Sequence, residues 1–552
     1  MMAKNVLFIM CDQLRWDYLS CYGHKTLKTP NIDALARRGV RFTKAHVQST
    51  VCGPSRMCAY TGRYMRTHGS TQNGVPLKVG EMTLGDHLRP LGIRTALVGK
   101  THMIADTEGM ERLGISRDSV IGVHVSQCGF EPFERDDGLH PRSKYDPDPP
   151  YDTYLREKGF DAGNPWEDWA NSAAGPEGEI LNGWLLAHAD KPARVPEEHS
   201  ETPYMTRRAM EFMDQAGDKP WCLHLSYIKP HWPYIVPAPY HGMYSGKDVQ
   251  PAIRSVAEKR GTHPLAKAFM NERYSKAFSK ENIRKHVIPA YMGLIKQIDD
   301  QLGLLFKFMD EKGLSENTMI VFTSDHGDYL GDHWLGEKYL FHDQSVRVPL
   351  IIADPSPGAD KTRGTTCDEL VEMIDLAPTF VENFGGAVIP HILEGRSLMP
   401  LLHSRKLGKW RQYSISEYDY SFDMARITLK STVPDARAYM VTDGRWKYIH
   451  VDGFRPMLFD LKTDPDELKD LGASRRYARH RARLYEVLAR WSRTTRTQTT
   501  VSDAEITSGD EAMMHYDPNI TPRILIGYWD EEELQAELGK KARFEARRRE
   551  SP

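Results

Sequence analysis

The sequence has no apolar run long enough to cross a bilayer, no C-x-x-C pair, no internal repeat and no strong excess of charge. The first absence excludes a helical span, which needs about 20 consecutive apolar residues, so no membrane partner is expected. The seven cysteines, Cys11, Cys21, Cys52, Cys58, Cys128, Cys222 and Cys367, are odd in number and lack paired spacing. That argues against a disulfide framework or a structural zinc site and for reduced thiols. A formal net charge of −2 gives no bulk attraction to nucleic acid, though it leaves room for a local cationic pocket. The segment from Met1 to Cys11 lacks the charged head, long apolar middle and small-residue cleavage site of a secretory leader. It reads as a buried strand, and a cytoplasmic location is expected.

What is present is an ordinary globular composition, 40% hydrophobic and 27% charged over 552 residues. Val6 to Met10, Thr95 to Val98, Trp221 to Ser226, Met319 to Thr323 and Val348 to Ala353 are short apolar runs of strand type. Between them lie helical patterns. Thr29-Pro30 opens one that Gly39 stops, and Thr202-Pro203 opens another through Ala216. Tyr291 to Lys312 places Ile295, Ile298, Leu302, Leu305 and Met309 on one face. Strands alternating with helices predict an α/β sheet, whose site lies beyond the carboxyl ends of the strands. Polar clusters follow three of the candidate strands directly: Asp12-Gln13, Lys100-Thr101-His102 and Asp325-His326.

This pattern divides the chain into a catalytic α/β part (1–402), a smaller α+β part (403–515) and a charged tail or oligomerisation arm (516–552). Within the first, 103–201 is rich in Pro, Gly, Asp and aromatic residues and predicts long loops with short helices over the site. In the second, Ser414 to Tyr418, Ala438 to Val441, Trp446 to Val451 and Pro456 to Leu461 read as strands, and Ala478 to Ser492 as a helix. The charged end, helical in pattern from Asp530, suggests a homo-oligomer, a dimer or tetramer.

The segment that carries chemistry is Cys52-Gly53-Pro54-Ser55-Arg56, followed by Thr61-Gly62-Arg63. Pro54 suits a first helical turn, which puts the Cys52 thiol at a helix N-terminus, where free N–H groups favour an anion. Arg56 adds a permanently charged fork suited to sulfate or phosphate oxygens. The plain alternative is a structural cysteine beside a surface arginine.

Together with Thr29-Pro30-Asn31-Ile32-Asp33, Gly99-Lys100-Thr101-His102, Lys229-Pro230-His231-Trp232-Pro233, Ser324-Asp325-His326-Gly327 and Leu458-Phe459-Asp460-Leu461, this segment resembles the sulfatase family of the alkaline phosphatase superfamily. The resemblance runs from Asn5 to about Leu471. It implies an alkaline-phosphatase-like mixed sheet sandwiched by helices, with a smaller C-terminal antiparallel-sheet domain. It implies that a maturation enzyme oxidises Cys52 to formylglycine. Asp12, Gln13, Asp325 and His326 would then hold one divalent metal with residue 52. Arg56, Lys100, His102, His231 and Lys338 would serve the reaction, and Asn73 would join Arg56, Lys100, His231 and Lys338 in binding a small anionic ester. His224 and His333 are read as structural.

Within the family the pattern is mixed. Asp12-Gln13 with Asp325-His326, and Asn73, resemble the phosphonate monoester hydrolases, which also act on phosphodiesters, whereas Lys100-x-His102 resembles sulfatases. The expectation is a sulfate monoester hydrolase of arylsulfatase type that also accepts phosphonate monoesters and phosphodiesters. The alternatives are the reverse order of preference, or a non-catalytic anion-binding relative. Oxygen ligands favour calcium and the histidine admits manganese.

Overall fold

The computed structural model describes residues 2–138, 149–404, 408–495, 497–504, 528–536, 539–540 and 543. Its first strand, β1 (Asn5–Asp12), is buried at every position. The alternation of a strand explains why both faces must be apolar. Val6, Phe8 and Met10 enter one core, while Leu7, Ile9 and Cys11 enter the other. The remaining strands are β2 (Val40–His46), β3 (Arg94–Gly99), β4 (Glu131–Arg135), β5 (Ser172–Ala174), β6 (Ile180–Asn182), β7 (Trp221–Pro230), β8 (Thr318–Ser324), β9 (Arg347–Ala353), β10 (Thr365–Glu372), β11 (Ser414–Asp419), β12 (Arg437–Thr442), β13 (Trp446–Val451) and β14 (Met457–Asp460).

Eight of these form one sheet in the order β10-β2-β9-β8-β1-β7-β3-β4. All pairings are parallel except those of β9, which runs against both β2 and β8. Helices cover both faces. Glu201–Ala216 and Glu281–Glu311 bury Met205, Phe212, Ile295, Ile298 and Leu302 on one face, each worth about 1.5–3 kcal/mol of transfer free energy. On the other face lie Cys52–Thr61, with Met57 and Tyr60, and Leu376–Asn383, with Leu376 and Phe380.

Three strands of this sheet are not announced by the sequence. β4 carries Pro132 among charged residues, β10 begins Thr-Thr-Cys-Asp-Glu, and β2 reads Val-Arg-Phe-Thr-Lys. β4 and β10 are the edges, where half the backbone groups face outward and charge is tolerated. Besides loops and short helices, 103–201 contains β4, which pairs with β3, and the β5–β6 pair. The long helix begins at Glu281, earlier than its apolar stripe suggests, and runs through Pro289.

β11 to β14 form a separate antiparallel meander in chain order. The helix Ala478–Thr494 closes it by packing Leu484 and Leu488 on Ile415, Val441, Trp446 and Leu458. By contacts the chain divides into two compact units, Met1–Thr495 and Arg496–Pro552. In the second, residues 531–536 are helical, and most of the expected charged tail lies outside the described residues. Among the described residues no helix is long and apolar enough to cross a membrane.

Candidate active site

The four central parallel strands deliver their polar clusters to one place. β1 ends in Asp12 and Gln13, β8 in Asp325 and His326, β3 in Lys100 to His102, and β7 in His231. The Asp325 N–H donates to the Cys11 carbonyl at 3.3 Å, so the β1 and β8 ends are tied together. The helix Cys52–Thr61 points its N-terminus at this point, as Pro54 predicts. Gly53 N–H donates to Asn73 Oδ1 at 2.8 Å.

Cys52 is the centre of the cluster. Its Sγ lies 3.0 Å from Lys338 Nζ, 3.1 Å from His326 Nε2 and 3.7 Å from Asp12 Oδ1. Donor atoms of Asp12, Cys52, Asp325 and His326 all lie within 4.8 Å of one another. His326 Nδ1 donates to the Gly327 carbonyl at 2.9 Å, so in the neutral imidazole the lone pair is on Nε2, facing the cluster. Gln13 is held at φ 65°, with Nε2 donating to Asp328 at 2.5 Å and Oε1 accepting from Lys338 at 3.2 Å. Gln13 Oε1 is thereby available as a further oxygen donor.

The cations divide the work. Lys100 Nζ is 2.6 Å from Asp12 Oδ2. Arg56 is 0% exposed, so it is not a surface residue. Its Nε donates to Asp325 at 2.8 Å, Nη1 to Ser226 Oγ and the Lys100 carbonyl at 2.7 and 2.8 Å, and Nη2 lies 3.4 Å from Asp12. With these donors engaged, Arg56 braces both carboxylates. Lys338, 4% exposed, sits between Cys52, Gln13 and His231 Nε2, the last at 3.4 Å. His231 Nδ1 donates to the Trp232 carbonyl at 2.8 Å, so its Nε2 is an acceptor for Lys338.

Charge follows from this packing. Burial and the Cys52 sulfur push the Asp12 carboxyl up, but Lys100, His231 and Arg56 hold it below the ordinary carboxylate range. Burial and Asp12 push Asp325 up, only partly offset by His326 and Arg56. Burial opposes ionisation of the Cys52 thiol, yet Lys338, His326 and Lys100 bring it well below its usual value. Burial lowers His231 to about 4 against the pull of Asp12. Two adjoining carboxylates at 0% exposure, an imidazole lone pair and an amide oxygen form a donor set that fits one divalent cation.

Cys52, Asn73, Lys100, His102, His231 and Lys338 line a cavity of about 650 Å3. Its outer wall is Trp166, Trp184, Trp232, Tyr339, Ile104 and Ile228. Trp184 meets Trp232 edge-to-face at 5.3 Å, and Trp232 lies against His231 at 4.1 Å. Asp328, Glu337, Arg135, Asp137, Trp166 and Trp184 join the site without any local spacing that marks them. A signal for Asp137 existed only in its neighbour, since Asp137-Gly138 is a turn pair. His224 is a core residue between the Phe8 carbonyl and Tyr60, and His333 pairs with Glu258 at 2.7 Å.

Residues 4–386 match the sulfatase family. The chain belongs to the sulfatase family. Residues 331–494 also match the C-terminal region of N-sulphoglucosamine sulphohydrolase. The sulfatase chain is 34% identical to the multifunctional alkaline phosphatase superfamily protein PehA of Trinickia caryophylli, covering 87% of this chain and 93% of that one. It is 27% identical to an arylsulfatase of Clostridium perfringens (strain 13 / Type A), covering 86% and 92%. The solved phosphonate monoester hydrolase of Agrobacterium radiobacter superposes with a TM-score of 0.76 at 27% identity, covering 89% and 96%. The protein is thus a sulfatase-family hydrolase close to arylsulfatases and phosphonate monoester hydrolases.

Proposed function

We propose that this sulfatase-family protein is a formylglycine- and metal-dependent hydrolase of sulfate monoesters with aryl leaving groups, and that it also hydrolyses phosphonate monoesters and phosphodiesters. The observation that carries the reading is the convergence of Cys52, the Asp12, Asp325 and His326 donors, and the Lys100 and Lys338 ammonium groups at one end of an aromatic-walled cavity. Sulfate and phosphonate monoesters each carry one negative charge near neutrality, so a pocket suited to one accepts the other.

Asp12, Gln13, Asp325, His326 and residue 52 would hold the divalent ion, calcium or manganese, which when bound neutralises charge and acidifies a neighbouring hydroxyl. Oxidation of Cys52 to formylglycine gives a hydrate in which one hydroxyl attacks sulfur or phosphorus, displacing the alcohol. The second then loses its proton as the C–O bond to the transferred group breaks, re-forming the aldehyde and releasing sulfate or phosphonate. Lys100 and Lys338 offset the charge that develops on the ester oxygens. Because His231 Nε2 accepts from Lys338, the ammonium of Lys338 is the group with a proton for the leaving oxygen. His102, at the cavity floor with Nδ1 free of partners among the described residues, takes the proton from the second hydroxyl.

Phosphonate esters as the preferred substrates are a second reading, favoured by Gln13, Asn73 and His326. The test is kcat/KM for an aryl sulfate and an aryl phosphonate monoester on one preparation, with formylglycine measured by peptide mass. Sulfate preference supports the first reading and phosphonate preference the second. The Cys52→Ala variant should lose at least about 1,000-fold in kcat while keeping its fold, and full activity in it sinks both.

A further inference from the structure

Resting on that reading, we infer that Asp137, together with Arg135, is a positioning residue that fixes the backbone of His102 and so aims its imidazole at residue 52. Neither residue belongs to a motif. Both come from the end of β4, the edge strand that pairs Gly99 with Arg135 and brings the chain after β4 alongside the chain after β3.

The contacts are two-sided. Asp137 Oδ1 accepts the Thr101 and His102 N–H groups at 2.8 and 2.9 Å. Asp137 Oδ2 accepts Arg135 Nε and Nη2 at 2.8 and 2.5 Å, and the same Nη2 donates to the Met103 carbonyl at 3.0 Å. One carboxylate and its fork therefore bind the turn from residue 101 to residue 103. His102 sits at φ 54°, a left-handed conformation that a residue with a Cβ holds only when its surroundings over-determine it. Thr101 is 0% exposed, so without Asp137 its N–H would lose its partner away from water. Burial alone would push the Asp137 carboxyl up, but Arg135 and the His102 N–H hold it below the ordinary range, so it acts as an anion here.

Two measurements separate this from the reading it rests on. The first is hydrogen–deuterium exchange, by mass spectrometry, on the full chain with Cys52 unmodified. Asp137→Ala should speed exchange of the Thr101 and His102 amides at least about tenfold while β3 stays protected. Asp137→Asn, which keeps an acceptor oxygen, should restore most of the protection. The second is stopped-flow release of aryl alcohol by the matured enzyme. Asp137→Ala should keep the initial burst, which depends on Lys338, and slow the steady state about 100-fold, which depends on His102.

Unchanged exchange overturns the clamp. Faster exchange with an unaltered steady state overturns the positioning role and leaves the proposed function standing. If Arg135 instead gripped substrate, Arg135→Ala would raise KM without changing exchange, which also overturns the inference. A wild type that turns over neither ester sinks the proposed function, and with it the catalytic consequence, while the exchange result still decides the clamp.

Discussion

The two ends of the cavity are built in different ways. At the floor, Asp12, Lys100, His231 and Asp325 hang from the ends of adjacent strands that pair along their length, and each polar atom is fixed by a neighbour's. At the wall, Trp166 and Trp184 come from 103–201, a stretch that pairs with the large sheet through β4. That wall is anchored by a few buried polar contacts. Trp166 Nε1 donates to Glu201 at 2.8 Å, Lys229 Nζ donates to Asn171 at 2.7 Å, and Arg208 pairs with Glu134 at 2.9 Å. On the proposed function, the contrast assigns the reaction to the part held by paired strands and the choice of leaving group to the loop-borne wall.

If this division holds, changes at the floor cost turnover for every ester, and changes at the wall cost only some. The largest effect is at Lys338. Lys338→Met should lower kcat roughly 100- to 10,000-fold, most for alcohols of low acidity, which need the proton most. A loss independent of leaving-group acidity, read from a series of substituted phenyl esters, would break the assignment. Next is Trp184→Ala, which should raise KM for aryl esters about tenfold and leave small alkyl esters of matched acidity unchanged. An equal loss for both series would mean that the wall also serves the chemistry.

The smallest effect is on stability and pH. Burial, only partly offset by Arg208, raises the Glu134 carboxyl to about 7. A carboxyl raised on folding binds more protons in the native state, so stability falls as pH rises from the ordinary 4.5 through about 7. Glu134→Gln should remove that slope, so that its stability relative to wild type is roughly 1–2 kcal/mol higher at pH 8 than at pH 5, by urea unfolding. For Asp12 the sign is opposite, since its carboxyl is held below its ordinary value and its contribution disappears in acid. A flat difference between wild type and Glu134→Gln across that range would refute the account of the wall anchor.

The buried strands were legible because an apolar run fully enclosed by neighbours needs no context, as with β1 and β8. The edge strands β4 and β10 were not, because they exist through their partners and not through their own periodicity. The same holds at the site. Cys52, Asp12, Asp325, Lys100 and His102 could be picked out since each follows a strand or opens a helix. Lys338, in a stretch with Glu337 and Tyr339 at positive φ, could be named only by resemblance, and its place beside Cys52 is a matter of packing.

By itself the sequence determined the family, the alternation of strand and helix, and the residue types that gather around Cys52, because these depend on local pattern and on chemistry that few side chains can supply. Only the tertiary structure decided which cation lies beside Cys52 and which props up the carboxylates, which nitrogen of His326 and of His231 faces a backbone carbonyl, and that Asp137 holds the His102 N–H. Those are properties of distance and direction between residues far apart in the chain, and they arise only when the strands are laid side by side.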